Sequence, residues 1–319
     1  MSIDVSQLRA PGSGEALALA GPSLVQTRQG SFAVVEVGSE SFIDFVTGAS
    51  LREAVSTQQQ LYDDQRSMYA QQLAADGAFI ERFVDEFVAD HTKNKAAVLR
   101  RELLALGLGA ASLAVEIGCN DGRYLNALSA MTGCRGLGFD VSTVAIARAV
   151  QVRPRDLRTA FHAAQAEALP LATGSVDAII SFDVFEHLGH AGVRRTLSEC
   201  QRVLTARGRL VIYVVSRQDR YTLHETFRTV SNGAVGVDAG EGHEYENFVS
   251  PDELRRYARE ASLRVVRLEA YHGFWTLFAE EQLANRLPKW AYPWLHLLDF
   301  PLIRAEHGNG FLAVLERAT

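Results

Sequence analysis

Cysteine is scarce in this chain. Cys119, Cys134 and Cys200 are the whole complement, and no two of them have the spacing of a zinc knuckle or a redox pair. That excludes a disulfide scaffold and fits a reducing compartment. Long hydrophobic runs are also lacking. The most apolar stretch, Trp290 to Ile303, is interrupted by Pro293, Asp299 and Pro301, so no bilayer span and no membrane partner are expected. Met1 to Ala20 has no charged segment followed by a sustained apolar one, so a secretory leader is not expected and the location read from the sequence is cytoplasmic. Positive charge is in deficit. A net charge of -6 over 319 residues excludes a protein that grips a polyanion by bulk charge, and no nucleic-acid partner is expected. Arg194, Arg195, Arg202, Arg207 and Arg209 lie close together, on a helix and its following turn, and read as a solvated face.

What is present is ordinary core material: 47% hydrophobic and 22% charged residues, enough to bury a large core. Residues 1–50 read as a small β-like module, with Ser31–Val37 a strand, Gly38–Glu40 a turn and Ser41–Val46 its partner. Residues 51–109 read as helical. Phe79, Ile80, Phe83, Val84, Phe87 and Val88 recur at the spacing of one buried face, and Gly107-Leu108-Gly109 stops the run. From residue 110 strands alternate with helices: strands near 112–117, 136–139, 158–162, 176–182, 208–215, 263–268 and 311–315, and helices near 121–131, 142–150, 192–204 and 251–261. That alternation predicts an α/β fold, a mostly parallel sheet with helices on both faces. The third domain is thus 110–319, with lid or cap insertions at about 216–250 and 271–307.

The sharpest local signal is Val115-Glu116-Ile117-Gly118-Cys119-Asn120-Asp121-Gly122-Arg123. A buried strand must turn there into a helix. Gly118 and Gly122 allow backbone angles closed to other residues, and asparagine is the side chain that best tolerates the left-handed region. In open α/β sheets ligands bind beyond the carboxyl ends of the strands, where this loop falls. A nicotinamide fingerprint fails, because the second and third glycines it needs fall on Asn120 and Arg123. No tyrosine has lysine four residues later, and the loop has no Gly-Lys-Ser/Thr.

Glu116-x-Gly118-x-x-x-Gly122, followed by Asp140 closing the next strand, resembles the class I S-adenosylmethionine (SAM)-dependent methyltransferase family, in its small-molecule type 11 branch. Further matches follow in order: Gln165-Ala166-Glu167-Ala168-Leu169-Pro170, Val176 to Leu188, Arg202 to Leu210, and Phe248 to Leu254. The resemblance covers roughly Tyr62 to Leu315. It implies a seven-stranded Rossmann-like sheet with an N-terminal β/helical extension and a C-terminal helical cap, SAM as cofactor, and transfer of its methyl group to a small molecule. The cofactor residues it implies are Glu116, Gly118, Cys119, Asn120, Gly122, Asp140, Val141, Ala166, Glu167, Phe182 and Asp183. Asp140 corresponds to the ribose-binding acid and Ala166-Glu167 to the adenine segment. Asn120, Gln165 and Ala206-Arg207 depart from the family's usual residues. Ser41 to Phe45 with Gln60 to Asp63 and Tyr69 is similar to the entry segment of relatives with a small zinc-ribbon-like module, whose cysteines are missing here. Tyr62 and Tyr69 are candidate caps on the cofactor, with plain packing as the alternative.

For catalysis the candidates are His187, which follows the fourth strand of the α/β domain, and His243 with Tyr245 on the lid; His224 and His272 are weaker. Histidine titrates in the right range for a general base. Asp183, Glu186 and His187 resemble the cluster of ubiquinone-type O-methyltransferases that use magnesium, but Glu-His here is widespread in metal-independent relatives, and no metal is expected. The aromatic segment Tyr271 to Ile303 has three readings: an acceptor pocket, a homodimer surface or simple core. The leading expectation is O-methylation of a natural-product-like metabolite. C- or N-methylation and a non-catalytic SAM-binding partner protein are the alternatives.

Overall fold

The computed structural model describes residues 5–11, 13–20, 24–27, 31–46, 78–92, 94–216, 226, 229–230, 247–271, 273–281 and 287–318. Tyr62, Tyr69, His224, His243, Tyr245 and His272 lie outside them.

The strands are β1 (Ala18–Leu19), β2 (Leu24–Gln26), β3 (Ser31–Val37), β4 (Glu40–Asp44), β5 (Leu113–Ile117), β6 (Arg135–Asp140), β7 (Thr159–Ala163), β8 (Val176–Phe182), β9 (Leu204–Val215), β10 (Leu263–Tyr271) and β11 (Gly310–Arg317). They form one sheet in the order β1-β2-β3-β4-β7-β6-β5-β8-β9-β11-β10. From β4 to β9 the pairs are parallel; the β9–β11 and β11–β10 pairs are antiparallel. The chain runs outward from β5 through β6 to β7, then returns to β8 on the other flank. The order therefore reverses between β5 and β8, where such sheets bind ligands.

Alternation along the strands feeds two cores, one on each face. Val115, Ile117 and Ile179 belong to one, Ala114 and Ile180 to the other. The helices are α1 (Phe79–Val88), α2 (Asn94–Ala105), α3 (Arg123–Thr132), α4 (Thr143–Val152), α5 (Gly189–Val203), α6 (Pro251–Glu260), α7 (Phe274–Glu281) and α8 (Tyr292–Arg304). Ser142 caps α4 by accepting from Ala145 N, and Ser250 and Glu253 close a reciprocal capping box on α6.

The N-terminal strands continue the α/β sheet. Asp44 pairs with Ala163, and Phe45 N donates to the Ala163 carbonyl at 2.9 Å. Ile43 N donates to His162 Nδ1 at 3.1 Å. Leu8 bridges Leu171, with Arg9 N on the Pro170 carbonyl. The extension thus grips the chain on both sides of residues 164–169.

Several sequence expectations are corrected. Val88 is 48% exposed, because the apolar face of α1 turns away before its last residue; Ile80, Val84 and Phe87 form the buried stripe. The turn expected over Arg202–Leu210 is a bulge: Val176 pairs Leu204 but Ala178 pairs Arg209, so the intervening residues loop out within β9. Pro293, Asp299 and Pro301 interrupt the apolar run as the sequence indicates, while α8 continues through all three. Pro293 lies at the helix start, where its missing N–H is no loss. Asp299 is buried and accepts from Trp275 N, Thr276 N and Thr276 Oγ1 at the start of α7. Arg195 and Arg202 are not merely a solvated face. Arg195 holds Glu167 through two hydrogen bonds, and Arg202 holds Glu199 and the carbonyls of Leu169 and Leu171.

Candidate functional site

The loop after β5 is built from left-handed residues. Gly118, Asn120 and Gly122 have φ of 69°, 51° and 75°. At Gly118 a Cβ would fall 2.2 Å from Val184 Cγ2, and at Gly122 2.3 Å from Phe161 Cζ. Glycine is needed at both for space as well as angle. Gly118 N and Cys119 N both donate to the Phe139 carbonyl, at 2.7 and 3.0 Å, drawing the loop against the end of β6. Ser181 Oγ, on β8, donates to the Ile117 carbonyl at 3.1 Å.

Asp140 closes β6 facing this loop. Its Oδ2 accepts from Asn120 N at 3.0 Å and its Oδ1 from Ser142 N at 2.9 Å. A carboxylate has about four lone-pair directions, the acceptor chemistry that suits a diol. Val141 beside it is half-buried.

Glu116 is buried beside the start of α3. Its Oε2 accepts from Leu125 N at 3.1 Å, supporting the first turn of α3. Burial first, and then the negative charges of Asp121 and Asp140, push its carboxyl well above the usual range against the opposing Leu125 bond. Cys119 is likewise internal, with its Sγ against Gly138. Ala166 and Glu167 are half-buried, and the Glu167 carboxylate is held by Arg195.

The other wall follows β8. Phe182 is buried and meets Tyr124 edge-on at 5.0 Å. Asp183 is left-handed (φ 57°), its N–H donating to the Tyr213 carbonyl at 3.0 Å. Its carboxylate forms an ion pair with Lys95 of α2, and the Lys95 ammonium lies 4.1 Å from the Tyr213 ring centroid. Phe185–His187 then form a single 3₁₀ turn, with His187 half-buried and its N–H on the Val184 carbonyl. Glu186 is 1% exposed; the backbones of Glu186 and Val215 approach it, but neither carboxylate oxygen makes a well-formed hydrogen bond. Burial, with repulsion from Asp183, pushes Glu186 up to about 8, against the lowering pull of Lys95.

The loop, Asp140 and the Asp183–His187 segment therefore lie together at the carboxyl ends of the central strands. Residues 115–212 match the model of the methyltransferase domain family. The chain carries a class I SAM-dependent methyltransferase domain. The ubiquinone biosynthesis O-methyltransferase of Cupriavidus pinatubonensis (strain JMP 134 / LMG 1197) is 27% identical over 158 residues, 48% of this chain and 61% of that protein. A probable S-adenosylmethionine-dependent methyltransferase of Mycolicibacterium smegmatis (strain ATCC 700084 / mc(2)155) is 40% identical over 110 residues, 34% of this chain and 38% of that protein. The match thus spans about three fifths of the first relative's length and less of the second's. In fold, the methyltransferase domain is similar to geranyl diphosphate C-methyltransferase from Streptomyces coelicolor A3(2), solved with Mg2+, geranyl diphosphate and S-adenosyl-L-homocysteine. The TM-score is 0.51 at 17% identity, covering 70% of this chain and 79% of that one.

The residues present fit the family's cofactor. Gly118 and Gly122 keep side chains out of the loop, and the Asp140 carboxylate stands beside it. Sequence reasoning missed Lys95, Arg195 and His162, because each acts on a residue remote in the chain. Among the described residues no helix is long and apolar enough to cross a membrane.

Proposed function

We propose that the protein transfers the methyl group of SAM to an oxygen of a small-molecule acceptor. The observation that supports this best is the clamp between Asn120 N–H and the Asp140 carboxylate, set between two left-handed glycines at the strand-order switch. When bound, SAM supplies a methyl group already activated on a sulfonium. The chain has to place and desolvate the nucleophile, and good orientation alone is worth about 7–11 kcal/mol. Asp140 would accept from the ribose hydroxyls, the loop from Gly118 to Gly122 would hold the amino-acid portion, and Ala166 would line the adenine, with Glu167 held by Arg195 beside it. Glu116 and Cys119 act from below, by holding the loop and α3 in place.

His187 takes the acceptor's hydroxyl proton as the new O–CH3 bond forms and the S–CH3 bond breaks. The relatives named for O-methylation favour oxygen over carbon or nitrogen. The test is calorimetry with SAM and S-adenosylhomocysteine, followed by mass spectrometry of acceptor mixtures. Binding with a +14 Da product supports the reading. Well-folded protein that binds neither form of the cofactor refutes it, and binding without any product over a broad panel favours the non-catalytic alternative.

A further inference from the structure

The carboxyl end of β8 holds a cation that comes from outside the matched methyltransferase segment. Lys95 belongs to α2, before the matched segment 115–212, yet its ammonium reaches the carboxyl end of β8 and pairs with Asp183. Its position is defined from two sides, by the Asp183 carboxylate and by the face of the Tyr213 ring, at 4.1 Å from the centroid. The side chains of Lys95 and Asp183 are 22% and 45% exposed, so a small ligand can reach the pair.

This arrangement bears on the magnesium cluster that Asp183, Glu186 and His187 resemble. Magnesium needs carboxylate oxygens free to turn toward it. Here Asp183 already faces an ammonium, which repels a divalent ion at the same carboxylate. Glu186 is buried on the same turn beneath it, and among the described residues no group of three His, Cys, Asp or Glu side chains is placed to hold a metal. The residues therefore do not fit a magnesium ion.

We propose that the Lys95 ammonium is the acceptor-site cation of this protein, binding an anionic oxygen group of the acceptor directly and making the site independent of a divalent metal. Asp183 then serves to hold the ammonium in place until the acceptor arrives, and Tyr213 limits its reach. The acceptor class that fits is a small molecule with a carboxylate, or with an acidic hydroxyl whose oxyanion Lys95 steadies as the proton leaves. This inference rests on the methyltransferase reading above.

The test uses full-length protein saturated with S-adenosylhomocysteine. Magnesium chloride, benzoate and benzamide are each titrated by calorimetry into wild type, Lys95→Met and Lys95→Arg. The expected result is no saturable magnesium binding by wild type at millimolar concentrations. Benzoate binding weakens about tenfold or more in Lys95→Met and is kept in Lys95→Arg. Benzamide does not distinguish the variants, and thermal unfolding confirms that all are folded. Saturable magnesium binding by wild type overturns the proposal, as does benzoate that binds wild type and Lys95→Met equally or binds neither. Failure of S-adenosylhomocysteine itself to bind is a different result, which sinks the methyltransferase reading.

Discussion

The backbone N–H of Asn120 donates to Asp140 Oδ2 at 3.0 Å, tying the loop after β5 to the carboxylate that ends β6. The contact is charge-assisted, and the second oxygen is tied to Ser142 N. Asp140→Ala removes both anchors and, on the proposed reading, the acceptor for the ribose. Affinity for S-adenosylhomocysteine is expected to fall by about 10–100-fold, on the scale of one to two hydrogen bonds to a charged group. Titration calorimetry measures it. Unchanged affinity in a folded variant excludes Asp140 from the cofactor site.

Gly122 combines a left-handed backbone with the Phe161 ring directly beneath it. Gly122→Ala is expected to cost roughly 1–3 kcal/mol for the backbone, plus the displacement of the ring. Relieving the clash with Phe161→Leu recovers only part, because the angle is still wrong. Urea unfolding of the two single variants and the double variant separates these contributions.

His162 is buried, accepts the Ile43 N–H through Nδ1, and is pushed down by burial from 6.5 to about 4. Between those values the unfolded chain binds a proton that the folded chain refuses. Its contribution to stability is therefore complete above about pH 6.5 and is lost as pH falls toward 4, by up to about 3 kcal/mol. In His162→Gln the slope assignable to this group over that window disappears. The same acid-driven loss in His162→Gln and wild type would count against the assignment.

Glu186 works in the opposite sense. Burial and the neighbouring Asp183 raise it from 4.5 to about 8. Here the folded chain keeps a proton that the unfolded chain releases. The stabilising effect is present below about pH 4.5 and is lost as pH rises through about 8, a few kcal/mol at most by the same linkage. Glu186→Gln is expected to be more stable than wild type at pH 8 and to differ less at pH 5. Chemical denaturation at the two pH values reads this directly.

His187→Ala tests the base. Turnover is expected to fall about 10²–10⁴-fold with cofactor binding unchanged. The fall shrinks for acceptors whose hydroxyl is already ionised at the assay pH. An equal loss for every acceptor points to a role in shaping the 3₁₀ turn instead.

The sequence by itself determined what depends on neighbours along the chain. The glycine–asparagine–glycine turn and the strand–helix alternation were both legible there. Backbone angles, periodicity and capping are settled within a few residues. So was Asp140, since its place at a strand end is a local property. The tertiary structure alone decided which distant charges meet: Lys95 with Asp183 across 88 positions, Arg195 with Glu167 across 28, and His162 with the Ile43 amide across 119. It also decided that β4 extends the sheet at β7, and that Glu116 and Cys119 are buried. No local pattern marks a lysine near the start of α2 as a partner of the fourth strand of the α/β domain. That pairing exists because the sheet order brings β8 and β9 side by side and the start of α2 lies at their carboxyl ends.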